Sequence, residues 1–467
     1  MSHRAVVVGA GLAGLLAAAV LSAAGVDEVV VLDRDDLPEG PEHRKGLPQG
    51  RHAHLLMTGG MDAVEELLPG AGVRERLLAA GAHEVSLSSG MLARTPEGWL
   101  RRWRREGPVM VTCTRALLDW VVRTAVRERT AVEFRRAAAV GLTGSRDRVR
   151  GVRIAAPGGD VDLEADLVVD ASGRGTRVVG WLGGLGVSGV RERAVDSGLV
   201  NASRVYRVPD GAERFPLTIV QADPYVSRPG RSAMVMPVEG GRWLVSCGGS
   251  RGGEPPADPE GFLRYTLDLP DPIVGRLISG AEPLTDVHLS RSTSNVRRHL
   301  EKLPHWPEGF VVLGDALATF NPAYGHGMSV AAFGARVLGR ELDRAGSLTA
   351  PGLARRVLRG AARSADAAWT MAVSQDVLYP GVRGGRPTPG DRVLTAYTRR
   401  MMKAATGSYA AASAIWDVTS LRTPPTRMFR PGAVLAALAG SPLPPSTEPP
   451  LTPEERNVLR GLDRTGV

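Results

Sequence analysis

Three glycines decide how the amino terminus of this chain must be read. Residues Ala5 to Val26 carry no charge, follow His3-Arg4 and end in small residues, the outline of a secretory signal or a membrane-spanning helix. The run Gly9-Ala10-Gly11-Leu12-Ala13-Gly14 breaks that outline. It lies between a valine-rich strand, Ala5–Val8, and a helix of small apolar residues, Leu15–Ala24; a second strand, Val29–Leu32, then ends at Asp33. Strand, G-x-G-x-x-G, helix and strand in that order make a βαβ unit. Gly9 permits the tight turn, Gly11 lets a pyrophosphate approach the backbone, and Gly14 lets helix and strand pack closely. The phosphates would meet free N–H groups at the helix start, and Asp33, 19 residues after Gly14, is placed to accept from an adenosine ribose. The expectation is a bound dinucleotide. A second match, Gly184 to Gly189, has no strand before it and no acid at the right distance after it, and reads as a linker loop.

Composition removes other classes. At 467 residues, with 43% hydrophobic and 23% charged, the chain fits neither a disordered protein nor a polytopic membrane protein. Cys113 and Cys247 cannot build a disulfide framework or a four-cysteine zinc site, so a reducing, cytoplasmic setting is expected. The net charge of +9 points weakly to nucleic acid, because 55 of the 58 basic residues are Arg, the mark of a GC-rich genome, and no nucleic-acid module accompanies them. Attraction to an anionic substrate or an acidic carrier protein stays open.

Two further strands run into polar loops. Leu167–Val169 leads to Asp170-Ala171-Ser172-Gly173-Arg174, and Phe310–Leu313 leads to Gly314-Asp315-Ala316, then Asn321-Pro322-Ala323-Tyr324-Gly325-His326-Gly327-Met328 and a helix from about Ser329. A buried strand ending in Gly-Asp before a glycine-rich helix start suits ribityl and phosphate groups, since the carboxylate accepts from a hydroxyl and the helix dipole faces the ligand. The alternative for Asp315 is a helix N-cap. His43, His52 and His54 are close in sequence but lack an acid or cysteine at zinc spacing, so no metal is expected. Neither a G-x-S-x-G elbow nor the W-x-W-x-I-P run of flavin halogenases is present.

With these motifs in order, the chain resembles the single-component FAD-dependent monooxygenases of the para-hydroxybenzoate hydroxylase and squalene epoxidase class. The runs Arg44 to His54 and Phe320 to Met328 look most like the bacterial polyether-antibiotic polyene epoxidases. The resemblance implies FAD, with NADPH or NADH as reductant. The implied cofactor contacts are Gly9, Gly11, Leu12, Ala13, Gly14, Asp33, Arg34, Arg44, Arg115, Asp170, Gly314, Asp315, Gly325, Gly327 and Met328, with Arg44, Gln49 and His326 beside the flavin ring. For Arg115 a salt bridge at a helix start is the other reading. The implied reaction is epoxidation of an alkene in an apolar polyene, polyketide or terpenoid, free or carrier-bound, through a flavin C4a-hydroperoxide. Aromatic hydroxylation and a non-redox FAD-bound cyclase are the alternatives. No certain base for a phenol is visible, which leans toward the alkene.

The expected fold class is α/β. A Rossmann-like FAD-binding domain drawn from residues 1–80, 100–183 and 285–345 interleaves with an α+β substrate domain, 184–284 with 81–99, and a helical region covers 346–467. The substrate sheet is expected from Gly198–Arg207, Leu217–Gln221, Ala233–Val238 and Trp243–Cys247. Beyond it, Pro351–Trp369 and Arg392–Val418 show helical periodicity, and Thr452-Pro453-Glu454-Glu455 reads as a capping box.

Overall fold

The computed structural model describes residues 2–291 and 293–465. Its first layer is a parallel sheet of β1 (Arg4–Val8), β2 (Glu28–Asp33), β3 (Glu133–Arg136), β4 (Leu167–Asp170) and β5 (Phe310–Val312), in the spatial order β5-β4-β1-β2-β3. The valine runs of the central strands are buried on both faces, as a parallel sheet covered by helices requires. The helix α1 (Leu12–Ala23) is buried along its first ten residues, which is why it has no polar face. It starts at Leu12, three residues ahead of the expected Leu15, because Gly11 is its N-cap and the fingerprint itself supplies the first turn. The helix α2 (Arg115–Arg129) packs on α1.

The second layer is a seven-stranded sheet in the order His288–Ser290, Val200–Arg207, Arg242–Gly249, Arg231–Val238, Leu217–Val220, Met91–Thr95 and Gly98–Trp99. All four expected strands are there, and Met91–Thr95 and Gly98–Trp99 join them, while His83–Ser86, also within 81–99, pairs instead with Val109–Thr112. The sequence boundary at 285 needs correcting: His288–Ser290 pairs with Val200–Arg207, so this sheet extends to residue 290. Three residues of mixed polarity carry too little pattern to announce an edge strand.

Helices complete the chain. The helices α3 (Gly327–Ala345) and α4 (Leu353–Asp376) pack on each other and on the parallel sheet, and α4 runs seven residues past the expected Trp369. The stretch expected as one helix from Arg392 to Val418 is two, α5 (Pro389–Ala405) and α6 (Tyr409–Thr419). The break falls at Gly407, where a Cβ would lie 2.1 Å from Ser441 Oγ, and Ser408 caps the second helix by accepting from the Ala411 N–H. With α7 (Pro431–Ala439), these helices cover one face of the second sheet: Met401, Trp416, Ala433 and Ala437 share a core with Leu217, Met236 and Leu244. The last helix, α8 (Pro453–Thr465), starts with the expected box. Thr452 N–H donates to Glu455 Oε2 at 2.8 Å and Glu455 N–H to Thr452 Oγ1 at 3.2 Å. No helix among the described residues is long and apolar enough to cross a membrane.

Candidate functional site

The carboxyl ends of β1, β4 and β5 bring three loops together. Gly9, at φ +102°, turns the chain out of β1, and a Cβ there would lie 2.5 Å from the Ala171 carbonyl oxygen. A Cβ on Gly14 would lie 1.8 Å from the Gly9 carbonyl oxygen. Gly314, at φ +60°, presses the Gly-Asp loop on the first turn of α1, 2.8 Å from the Ala13 Cβ to a Cβ at its own position. These three glycines are required by the fold alone. Gly11 is different. Its backbone is extended (φ −77°, ψ 178°), and nothing stands within 4 Å of where a side chain would begin. Glycine there keeps space open in front of the start of α1, which no side chain caps and where no acid sits in the first turn. Main-chain N–H groups and the positive helix end, carried by Leu12 and Ala13, are free for an anion.

Asp33 lies beside this opening. Its Oδ2 accepts from Ala10 N–H at 2.8 Å and its Oδ1 from Asp35 N–H at 3.0 Å. Arg44 reaches back to the same place, with Nη1 3.2 Å from the Ala10 carbonyl and 3.5 Å from Asp33 Oδ2, while its buried Nε has no partner among the described residues. Arg34 and Gln49 are exposed, Arg34 turning toward Asp35. Arg115 realises the salt-bridge reading, its Nε 2.7 Å from Asp119 Oδ1 in a buried pair, yet its charge also acts on Asp315.

The carboxylates of the other two loops behave oppositely. Asp170 is fully buried and turned into its own loop, accepting from Ser172 N–H (2.9 Å), Ser172 Oγ (2.6 Å) and Thr176 Oγ1 (2.6 Å). The Ala-Ser-Gly step thereby closes on Asp170, although burial pushes its carboxyl up. Asp315 has no hydrogen bond to its carboxylate from any described residue. The turn Gly314–Ala316 has no side-chain cap, so the N-cap alternative does not describe it. Burial raises its carboxyl, and the charges of Arg174, Arg115 and Arg298 act against that rise. Oδ1 lies 3.7 Å from where a Cβ on Gly327 would sit, beside the start of α3. Asp315→Ala is therefore expected to leave the melting temperature of the protein stripped of ligand unchanged or raised, and to weaken ligand retention about tenfold, roughly 1.4 kcal/mol. Equal losses with and without ligand would assign it a structural role.

His326 sits at the N-cap of α3, 5% exposed, with Nδ1 unpartnered and its ring 6.3 Å from that of Tyr324. Burial lowers its pKa to about 4, so near neutral pH it is an uncharged ring with one nitrogen free to bond. Gly325 and Gly327 flank it, and Met328 lies within the core between α1 and α2. What holds this loop was not visible in the sequence. Asp376, at the end of α4 and 1% exposed, accepts from Asn295 Nδ2 (2.6 Å), Asn321 Nδ2 (2.9 Å) and the Tyr324 hydroxyl (2.8 Å). Asn295 Oδ1 takes the Asn321 N–H at 2.7 Å. The histidines near the amino terminus hold structure: His52 Nδ1 lies 2.8 Å from Ser203 Oγ, and His54 Nδ1 2.9 Å from the His52 carbonyl.

An open glycine cradle at a helix start, a half-buried carboxylate without a partner among the described residues and a buried imidazole with a free nitrogen fit a phosphate, a polyol and a heterocycle respectively. The sequence of the FAD binding domain matches residues 3–351. The chain belongs to that family. Protein Rv3254 of Mycobacterium tuberculosis is 31% identical over 390 residues, 80% of each chain. In fold, the chain is similar to the flavin-dependent halogenase CmlS (TM-score 0.60, 16% identity, 90% of this chain and 77% of that one). It is similar to the Diels-Alderase PyrE3 of pyrroindomycin biosynthesis (0.59, 18%, 90% and 80%). The same holds for pqsL, a probable FAD-dependent monooxygenase from Pseudomonas aeruginosa (0.58, 17%, 80% and 97%). The likenesses to solved structures establish the fold, and the match over residues 3–351 establishes the FAD-binding family.

Proposed function

We propose that this FAD-binding protein is a monooxygenase that uses NADPH or NADH and O₂ to epoxidise an alkene of an apolar polyketide or terpenoid. The observation that carries it is the convergence of the Gly9–Gly14, Gly314-Asp315 and Asn321–Met328 loops, which bring together an open glycine at a helix start and polar side-chain atoms with no partner among the described residues. When bound, FAD supplies the reduced ring that activates O₂. The N terminus of α1 behind Gly11 holds the pyrophosphate, Asp33 the ribose and Asp315 a ribityl hydroxyl. The clamp on Asp376 fixes Asn321 and Tyr324, and so the loop whose His326 would lie beside the bound cofactor. Two features favour an alkene. His326 is held neutral by burial, and the α5–α7 cover of the second sheet is built from Met, Trp and Ala, a water-excluding wall without charge.

A second reading, hydroxylation of a phenol, has one feature in its support: the Tyr324 hydroxyl is hydrogen-bonded to buried Asp376 and could hand on a phenolic proton. Product mass analysis under ¹⁸O₂ with a panel of polyenes and phenols separates the two. The expected result is one ¹⁸O in an epoxide, with NAD(P)H consumed. Labelled phenolic products with alkenes untouched would replace epoxidation by ring hydroxylation. Halogenated product in the presence of chloride or bromide, or turnover without O₂, would remove the monooxygenase reading.

A further inference from the structure

Half of the large apolar side chains that stand exposed among the described residues gather in one place. Val393 is 73% exposed, Leu435 65%, Leu438 57%, Phe429 52% and Leu443 41%, all within α5, α7 and the segments beside them. They adjoin one another. Tyr397, one turn after Val393 on α5, stacks on Phe429 at 5.1 Å, and Arg400 donates to the Ala437 and Leu438 carbonyls at the end of α7. The helix α7, Pro-Gly-Ala-Val-Leu-Ala-Ala-Leu-Ala, has no polar side chain. Its inner residues Ala433 and Ala437 are buried, while Pro431, Gly432, Leu435, Leu438 and Ala439 face out along one side. Contiguous exposed apolar faces of this kind mark protein or membrane interaction sites.

The surround of this face is basic. Residues 386–443 carry seven Arg and one Lys against Asp391 and Asp417, and Glu97 and Asp62 from other segments pair with Arg399 and Arg422, which leaves a surplus of four. Arg386, Arg392, Lys403 and Arg430 are exposed and form no ion pair with a described residue. Arg430 directly precedes α7 and Arg400 closes its far end, so cations flank the apolar stripe at both ends.

We propose that this face docks on an anionic lipid bilayer, with Leu435, Leu438 and Phe429 entering the headgroup boundary and the arginines meeting lipid phosphates. Short interfacial helices bind in this way, through buried apolar area together with attraction to anionic lipid. Two other occupants fit less well. A second copy meeting the same face would bring the basic surround against itself. An acidic protein would bury a helix face that offers no side-chain donor or acceptor, whereas protein interfaces carry about one hydrogen bond per 100–200 Å². The inner side of α7 belongs to the cover of the second sheet, so docking sets that cover at the bilayer, where an apolar substrate concentrates. The surface itself stands independently of the cofactor and reaction assigned above.

The test is co-sedimentation of the purified full-length protein, read by total protein, with vesicles of phosphatidylcholine alone or with added phosphatidylglycerol. Partitioning onto the anionic vesicles is expected to exceed that onto phosphatidylcholine about tenfold and to fall with salt. Leu435→Asp/Leu438→Asp should lower it by about tenfold or more. Arg392→Ser/Arg430→Ser should reduce the preference for anionic lipid. Unchanged melting temperatures verify the fold of each variant. Wild-type protein that stays in the supernatant, or a leucine variant that sediments undiminished, overturns the proposal. So does a dimer in sedimentation velocity that the leucine variant disperses while vesicles go unbound, which would assign the face to a second copy. Saturable binding of an acidic carrier protein with vesicles unbound would assign it to a protein partner.

Discussion

Gly11→Val is expected to yield a folded, colourless protein. The backbone at Gly11 is extended and compatible with a β-branched residue, and no atom stands within 4 Å of the new Cβ, so the apoprotein should unfold within about 0.5 kcal/mol of wild type. The same side chain enters the open space in front of the start of α1, where the pyrophosphate is proposed to meet main chain. Loss of affinity should reach at least a hundredfold, about 2.7 kcal/mol. Gly14→Val is the contrast, because its Cβ would lie 1.8 Å from the Gly9 carbonyl oxygen and the fold itself must give way. Visible absorbance after purification, FAD titration by fluorescence and apoprotein melting separate the two cases. A yellow Gly11→Val protein with wild-type FAD affinity would remove the pyrophosphate from this loop.

The difference between these glycines shows what sequence patterning can carry. G-x-G-x-x-G, Asp33 and the Gly-Asp step are local, and each lies at a strand end that its valines announce, so the parallel sheet and the loops at its carboxyl edge were legible. The division of labour among them was not. Gly9 is held by a carbonyl 162 residues away in sequence, at Ala171, and Gly314 by Ala13. Asp170 and Asp315 both end buried strands with similar patterns, yet one is saturated by Ser172 and Thr176 and the other is left without a partner. Asp376 was unreadable for a related reason. It closes α4 with no motif around it, and its role exists only because Asn295, Asn321 and Tyr324 arrive from two other segments. The helix break at Gly407 was missed because small residues continue the helical period through it, and only the packing of Ser441 and Leu443 makes glycine necessary. The exposed face of α7 shows the reverse failure: its apolar run reads as core, and the tertiary structure leaves half of it uncovered.

Acid should unfold the protein through its buried histidines. His52, lowered mainly by burial and further by the charge of His288, and His326, lowered by burial, each protonate at about 4 in the fold but near 6.5 once unfolded. Between those values the unfolded chain binds more protons, so stability is complete above about pH 6.5 and is lost as pH falls toward 4, with no further loss below. Each histidine is worth about 3 kcal/mol over that interval, and two together approach the whole stability of an ordinary domain. The buried carboxyls of Asp170, Asp315 and Asp376 act with the opposite sign. Their raised values make the fold bind protons first, so they offset part of the slope from below. The share of His52 and His326 is isolated by comparing wild type with His52→Gln/His326→Gln in urea unfolding, followed by tryptophan fluorescence at about pH 7.5 and about pH 4.5, because His54, likewise lowered to about 4 mainly by burial, contributes to both proteins. The double variant is expected to lose about 5 kcal/mol less than wild type across that range. Parallel losses in the two proteins would mean that neither imidazole is held neutral by the fold, and that His326 does not present an uncharged ring to the proposed flavin site.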